Sequence, residues 1–130
     1  MTVLPGFLVG ALALQIRGDL GASVAAVAAG VSVFFLAGAL GAGAGGRLSE
    51  RTGALRAMTA SALVTCVCLL VGGLAASSLV VLFACLVVAG LSNAVAQPAI
   101  NLFMADQVPV ERQGLAFGIK QSAIPAAVLI

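Results

Sequence analysis

The sequence predicts an all-α integral membrane protein, a polytopic bundle of about five transmembrane helices. Hydrophobic residues make up 62% of the 130 residues and charged residues 8%, whereas a soluble domain carries about 25% charged residues. Residues 22–45 and 57–105 contain no charge. Because a spanning helix needs roughly 20 apolar residues, the first block holds one span and the second holds two. Runs such as residues 80–88 lack the alternation of membrane β-strands, which favours helices.

The spans are expected in order at about residues 3–16, 22–45, 57–75, 79–105 and 114–130. Turns or polar loops separate them at residues 17–19, 46–56, 77–78 and 106–113. The fifth span is still apolar at Ile130, and a helix that stops inside the membrane leaves unpaired carbonyl groups in hydrocarbon. We therefore expect a partial N-terminal transmembrane helical domain, covering residues 1–130, that packs against missing C-terminal helices of the same protein.

Arginine is distributed unequally between the connecting loops. The loops after the second and fourth spans hold Arg47, Arg51, Arg56 and Arg112, whereas the other two loops hold only Arg17. Because Lys and Arg concentrate in cytoplasmic loops, the sequence predicts that the four-arginine side and the N-terminus face the cytoplasm. The expected location is the plasma membrane, with multiple passes through the lipid bilayer.

Several classes of function are disfavoured by composition. The net charge is +2, without a basic block and without Trp or Tyr, so nucleic acid is not an expected partner. The chain has no His, which removes Ser-His-Asp catalysis and the usual zinc sites. We therefore expect no enzyme activity, no catalytic residues, no metal and no cofactor. Cys66, Cys68 and Cys85 lie within apolar spans and are interpreted as small packing residues.

Small residues recur at four-residue spacing in the second span. Gly38, Ala42 and Gly46 form one such row, and Gly41 and Gly45 form another. Small residues at this spacing allow two helix backbones to approach closely in lipid, so the second span is expected to pack tightly against a neighbour.

Polar side chains form a stripe on the fourth span. Asn93, Gln97 and Asn101 recur every four residues and therefore share one helix face. Polar groups are costly in hydrocarbon, so this face is expected to look into the bundle or into a wet cavity. Pro98 lies within the stripe and is expected to kink the helix. The alternative is that the amides only hold neighbouring helices together by hydrogen bonds.

Lys120 and Gln121 lie inside the fifth span, where Lys120 is the only intramembrane charge. Such a charge is a candidate functional group. Lys120 can instead extend its ammonium group back to the interface, because helical side chains tilt towards the helix N-terminus. If it faces a cavity, its depth overlaps those of Gln97 and Asn101, and it can attract an anionic substrate.

The first long polar loop, residues 46–56, reads Gly-Arg-Leu-Ser-Glu-Arg-Thr-Gly-Ala-Leu-Arg. Gly53 is expected at a backbone position that disfavours a Cβ. Glu50 lies at the end of a helix whose dipole opposes its charge, which suggests a partner on another helix. The alternative is a solvated loop whose arginines only set the orientation in the membrane.

This loop resembles the signature between the second and third helices of the major facilitator superfamily, roughly G-x-L-A-D-R-x-G-R-R. The matching residues are Gly46, Leu48, Arg51 and Gly53. The departures are Ser49 and Glu50, where Ala and Asp are usual, and Ala54 and Leu55, where basic residues are usual, with Arg56 one position late.

A second segment resembles the same family. Residues 106–118 include a run similar to P-x-E-R-G-x-A-x-G, which leads into the fifth helix of many members, with Gln113 as one inserted residue. The candidate residues of this motif are Asp106, Pro109, Glu111, Arg112 and Gly114. The two motifs stand in the order and at the spacing of helices one to five of the family.

The resemblance implies a transmembrane transporter, a secondary active carrier of a small solute. In that family two six-helix halves rock about a central site, and the fourth helix lines the substrate cavity. The candidate cavity residues are Asn93, Gln97, Asn101, Lys120 and Gln121, and the candidate gating-loop residues are Gly46, Glu50, Arg51, Gly53 and Arg56. About five of twelve helices are expected to be inactive alone.

Other membrane functions stay open as alternatives. The main one is a small oligomeric membrane protein or an assembly subunit without its own transport activity. A four-helix multidrug exporter needs a membrane-embedded glutamate, and the first span offers only Gln15. An intramembrane protease of the Ser-His kind needs the His that this chain lacks.

Overall fold

A computed structural model describes residues 2–74 and 78–128, with side chains as far as Ser122. The helices are α1 Leu4–Ala11, α2 Ala13–Leu20, α3 Val24–Thr52, α4 Ala54–Leu74, α5 Leu79–Gln107 and α6 Val110–Val128. The described residues contain helices and no strand. Three of these helices, α3, α4 and α5, are long and apolar enough to cross a membrane. The predicted all-α polytopic membrane bundle is therefore confirmed.

The first expected span consists of two short helices. Leu12 separates α1 from α2, yet its N–H donates to the carbonyl oxygen of Leu8 at 2.8 Å. The turn expected at residues 17–19 lies further on, because α2 continues to Leu20 and Gly21 then adopts a left-handed conformation with φ of 60°. Ser23 caps α3 by accepting a hydrogen bond from the Ala26 N–H at 3.1 Å. Gly21 therefore ends α2, and Ser23 begins α3 as its N-cap.

Helices α3 and α5 run parallel and form the most extensive contact of the bundle. Two glycines make the approach possible. A Cβ on Gly45 would overlap the Ala94 carbonyl of α5, and a Cβ on Gly90 would overlap the Phe34 carbonyl of α3. Gly41 also faces α5, where an added Cβ would lie 3.1 Å from the Cβ of Ala94. The row of Gly41 and Gly45 therefore forms the predicted close contact.

The other predicted row of small residues does not contact α5 along its whole length. Gly38 faces α5, with the Gly90 carbonyl oxygen 3.4 Å from the position of an added Cβ. Ala42 is exposed, and Gly46 has open space around it. The reason is geometric, since a four-residue spacing drifts around a helix that has 3.6 residues per turn.

Helix α4 packs antiparallel on α5 through buried hydroxyl groups. Ser92 Oγ donates to the Ser61 carbonyl oxygen at 2.8 Å. Thr65 Oγ1 lies 3.1 Å from Ser92 Oγ and donates to it, since the Ser92 hydrogen is already used. All three residues are buried. A hydroxyl group in lipid needs a hydrogen-bond partner, and here the partners of Ser92 are on the neighbouring helix, so this cluster fixes the register of the two helices.

Ser92→Ala is expected to lower the stability of the α4–α5 contact by about 0.6–1.7 kcal/mol, the range of interhelical hydrogen bonds in membranes. The change removes the donor to Ser61 and the acceptor of Thr65. Thermal unfolding in detergent, followed by circular dichroism, measures the loss. Ser32→Ala is the matched control, because the exposed Ser32 hydroxyl bonds only the Ala28 carbonyl oxygen of its own helix. Equal melting temperatures for the two variants would contradict the assignment.

Candidate functional site

The polar stripe of α5 begins at Asn93, in the middle of the helix. Its Oδ1 accepts two hydrogen bonds, from Thr2 Oγ1 at 3.0 Å and from Gln97 Nε2 at 3.4 Å. Thr2 is buried, whereas Asn93 and Gln97 are half-buried. Asn93 also faces α3, since its Nδ2 lies 3.9 Å from the position of a Cβ on Gly38. The start of the chain, α3 and α5 therefore meet at this amide.

Thr2 is a residue that sequence reasoning missed. It precedes the first helix, and one threonine in an apolar run gives no periodic signal. Its bond to Asn93 puts the start of α1 at mid-height of α5. From there α1 runs antiparallel to α3 and α5, since Gly6 packs on Phe34 and Val9 lies near Gly30. The half of α5 that follows Asn93 is therefore available for contacts with elements other than α1.

The second polar pair joins α5 to α6. Lys120 Nζ donates to Asn101 Oδ1 at 2.6 Å. Asn101 is exposed, and Lys120 is half-buried. The expected overlap in depth between Lys120 and Asn101 agrees with this contact. Gln121, the next residue, is exposed.

The two polar groups form one row along α5. Eight residues separate Asn93 from Asn101, which is about 12 Å along the helix axis. Gln97 lies between them and bonds towards Asn93. The row therefore has a neutral end at Thr2 and Asn93 and a cationic end at Lys120. Such an arrangement can accept a solute that has both hydrogen-bonding groups and a negative charge.

Pro98 connects this row to the contact between α3 and α5. Proline has no N–H, so the Ala94 carbonyl loses its usual donor within the helix. That carbonyl faces Gly45. The two backbones can approach this closely because glycine has no Cβ. One residue on, the Val95 carbonyl oxygen accepts from Ser49 Oγ at 2.9 Å. Helix α3 therefore covers the part of α5 that proline disrupts.

Ser49 belongs to the first motif, where alanine is the usual residue. It is 1% exposed, and its hydroxyl hydrogen is shared between the carbonyl oxygens of Val95 and its own helix residue Gly45. The departure from the family pattern therefore adds a bond between the motif and α5.

The motif itself is mostly helical rather than a loop. Helix α3 continues to Thr52, Gly53 alone breaks the chain at φ of 84°, and α4 begins at Ala54. The expectation for the Gly53 backbone is therefore confirmed. The side chains of Glu50, Arg51 and Arg56 are exposed, and Gly46 has no neighbour within 4 Å of an added Cβ.

The second motif covers the end of α5, the connection at residues 108–109 and the start of α6. Gln113 Nε2 donates to the carbonyl oxygens of Ala105 at 3.2 Å and Val108 at 3.1 Å. These carbonyls lie at the end of α5, where they have no helical donor. The inserted Gln113 therefore caps α5, a role that the sequence did not reveal. The other motif residues, Asp106, Pro109, Glu111, Arg112 and Gly114, are exposed.

Two cavities in the described part of the chain that lie outside the polar row are of interest. One, of about 180 Å³, is lined by α1, α2, α4 and α5 and includes Val9, Cys68, Cys85 and Leu86 in its apolar lining. The expected packing role of the cysteines fits Cys68 and Cys85, whereas Cys66 is exposed. The other cavity, of about 380 Å³, lies beside the Gly53 connection and includes two arginines.

Comparison with known proteins gives one match. The family model described as Major Facilitator Superfamily matches residues 3–130 of the chain. No curated protein and no solved structure matches. Both sequence motifs and the whole polar row beyond Thr2 lie within the matched residues.

Proposed function

The chain belongs to the major facilitator superfamily of membrane transporters, and from that premise we propose that it forms part of a secondary active carrier of a small solute. The observation that carries the proposal is the hydrogen bond between the charged Lys120 and the neutral Asn101, which joins two helices of the bundle. Its helices would work together with further helices of the same protein, since about five helices cannot enclose a two-sided pathway.

The polar row supports a substrate site on the bundle side of α5. A lysine ammonium has three donors, and Asn101 accepts one of them. The remaining donors are available to a carboxylate or phosphate group of the solute. The amides of Asn93 and Gln97 can bind neutral polar groups about 6–12 Å further along the helix. We therefore favour a small organic anion as the solute, with Gln121 at the edge of the site.

The contact between α3 and α5 supports alternating access as the mechanism. Helices that touch through glycine at Gly45 and Gly90 move as one rigid unit, because their backbones leave no space between them. Such a unit can rock against a second half around a fixed site. The gating-loop residues Gly46, Glu50, Arg51, Gly53 and Arg56, together with the motif that precedes α6, lie at the end where closure would occur.

The orientation in the membrane is part of the same proposal. The connections that hold Arg47, Arg51, Arg56 and Arg112 lie at one end of the bundle, because α3 and α5 run parallel and both end there. Under the positive-inside rule this end faces the cytoplasm of a cell whose plasma membrane holds the protein. The chain then begins on the cytoplasmic side of the first span, with Thr2 held at mid-height of α5.

Uptake measurements test the proposed function. Membrane vesicles that contain the product of the complete reading frame are expected to take up one class of small anions saturably and against a gradient, driven by an ion gradient. Vesicles with the 130-residue chain alone are the control and are expected to show no uptake. Flux that does not saturate, or that requires ATP, would contradict a secondary carrier. Saturable uptake by the 130-residue chain would contradict the need for further helices.

A further inference from the structure

The cavity beside Gly53 has the chemistry of an anion site. It has a volume of about 380 Å³ and lies between the end of α3 and the start of α4. Arg51 and Arg56 contribute guanidinium groups, and the apolar side of the lining comes from Leu48, Ala57, Ala60 and Val95. This volume is large enough for a phosphodiester with its glycerol.

The charge of this site comes from side chains. The C-terminus of α3 and the N-terminus of α4 meet at Gly53, so their opposite dipole ends largely cancel. The Thr52 hydroxyl donates to the Leu48 carbonyl oxygen at 2.8 Å, so among the polar side chains of the lining the arginines remain as donors. Each guanidinium group can bind a phosphate through two parallel hydrogen bonds.

Acidic residues do not neutralise the cavity. Residues 47–56 contain three arginines and one glutamate, a net charge of +2. Glu50 is exposed and, like Asp106 and Glu111 in the other connection, is not among the residues that line the cavity. A ligand there meets two positive charges and an apolar wall.

The depth of the cavity identifies the kind of ligand. Helix α3 has 29 residues, which corresponds to about 44 Å at 1.5 Å per residue. The hydrocarbon core is about 30 Å thick, and about 40–45 Å with the headgroup layers. Arg51 lies one residue before the end of α3. The cavity is therefore at the depth of the lipid headgroups.

We propose that Arg51 and Arg56 bind the phosphodiester of an anionic phospholipid in the cavity between α3 and α4. The ligand is a lipid with net negative charge, such as phosphatidylglycerol. Its phosphate oxygens contact the guanidinium groups, and the glycerol lies against Leu48 and Ala57. This site is separate from the polar row of α5, so it adds a structural lipid to the carrier and does not depend on the identity of the solute.

Native mass spectrometry of the purified chain tests the proposal, by titration with phosphatidylglycerol or phosphatidylcholine in detergent. We expect one phosphatidylglycerol to stay bound under conditions that strip phosphatidylcholine. Arg51→Gln and Arg56→Gln are each expected to weaken this binding about fivefold. This is the contribution of one basic residue to binding at an anionic membrane surface. Arg47→Gln is the matched control, because Arg47 lies one turn earlier on α3 and does not line the cavity.

Four outcomes would overturn the assignment. The first is equal retention of the two lipids. The second is a loss in Arg47→Gln as large as in Arg51→Gln, which would indicate diffuse surface attraction. The third is displacement of the lipid by inorganic phosphate, which would make the site one for the free ion. The fourth comes from Arg51→Lys and Arg56→Lys, which keep the charge and the fold: full binding in the double lysine variant would exclude the bidentate contact.

Discussion

Gly45→Ala is expected to destabilise the bundle, whereas the same substitution at Gly43, two residues earlier, is expected to stabilise it. A Cβ on Gly45 would overlap the Ala94 carbonyl, and backbone atoms cannot rotate away as a side chain can. Overpacking of this kind costs roughly 1–3 kcal/mol. At Gly43 an added Cβ meets nothing within 4 Å. There the substitution only improves helix propensity, by up to about 1 kcal/mol.

The expected loss of stability in Gly45→Ala is larger than the overlap alone would cause, because two further contacts depend on the distance between α3 and α5. If α3 moves away from α5, Ser49 loses its bond to the Val95 carbonyl oxygen. The Ala94 carbonyl, which Pro98 has deprived of its helical donor, then lies in an apolar gap. Melting temperatures in detergent measure both variants. Similar melting temperatures for Gly43→Ala and Gly45→Ala would show that α3 and α5 do not touch at Gly45.

The spans were predictable because the hydropathy and the length of an uncharged block can both be read from the sequence. The three confirmed spanning helices come from the two long uncharged blocks. Their ends were harder to predict. Helix α3 continues to Thr52 through residues 46–52, which are polar enough to suggest a loop. A helix that extends into the headgroup layer can have polar side chains without any backbone change, so polarity alone cannot locate its end.

The polar stripe was predictable from spacing, but its partners were not. The interval of four residues put Asn93, Gln97 and Asn101 on one face, and two of them are bonded to each other. The partners Thr2 and Lys120 come from other helices or from the start of the chain, and a single sequence does not specify such contacts between distant residues. Whether the stripe binds substrate stays a prediction.

The sequence did not indicate which hydroxyl groups within the spans bond a neighbouring helix. Ser61, Thr65 and Ser92 lie within the spans, and a hydroxyl can bond a carbonyl of its own helix without a partner on another helix. Only packing distinguishes the Ser92 hydroxyl, which bonds another helix, from the Ser32 hydroxyl, which bonds its own. The same holds for Gln113, whose capping role depends on the direction of the turn before α6.

Lys120→Gln is expected to raise the KM for an anionic solute by about 10–100-fold, in vesicles that contain the product of the complete reading frame. The substitution removes the charge and keeps a polar side chain with N–H donors. A hydrogen bond to a charged group contributes about 1.5–3 kcal/mol, which corresponds to roughly 10–150-fold in affinity and includes the expected range. Because the bond to Asn101 uses one ammonium donor, the substrate is expected to use the others.

The competing explanation is that Lys120 only holds α6 against α5. Asn101→Leu separates the two, because it removes the acceptor and leaves the charge in place. If Lys120 binds the solute, Lys120→Gln changes the KM far more than Asn101→Leu, while both lower the melting temperature slightly. Arg17→Gln, which removes one exposed positive charge away from the polar row, controls for net charge. An unchanged KM in Lys120→Gln would exclude a substrate contact and leave the lysine a purely structural role, since a charge that faces the solute cannot be removed without loss of affinity.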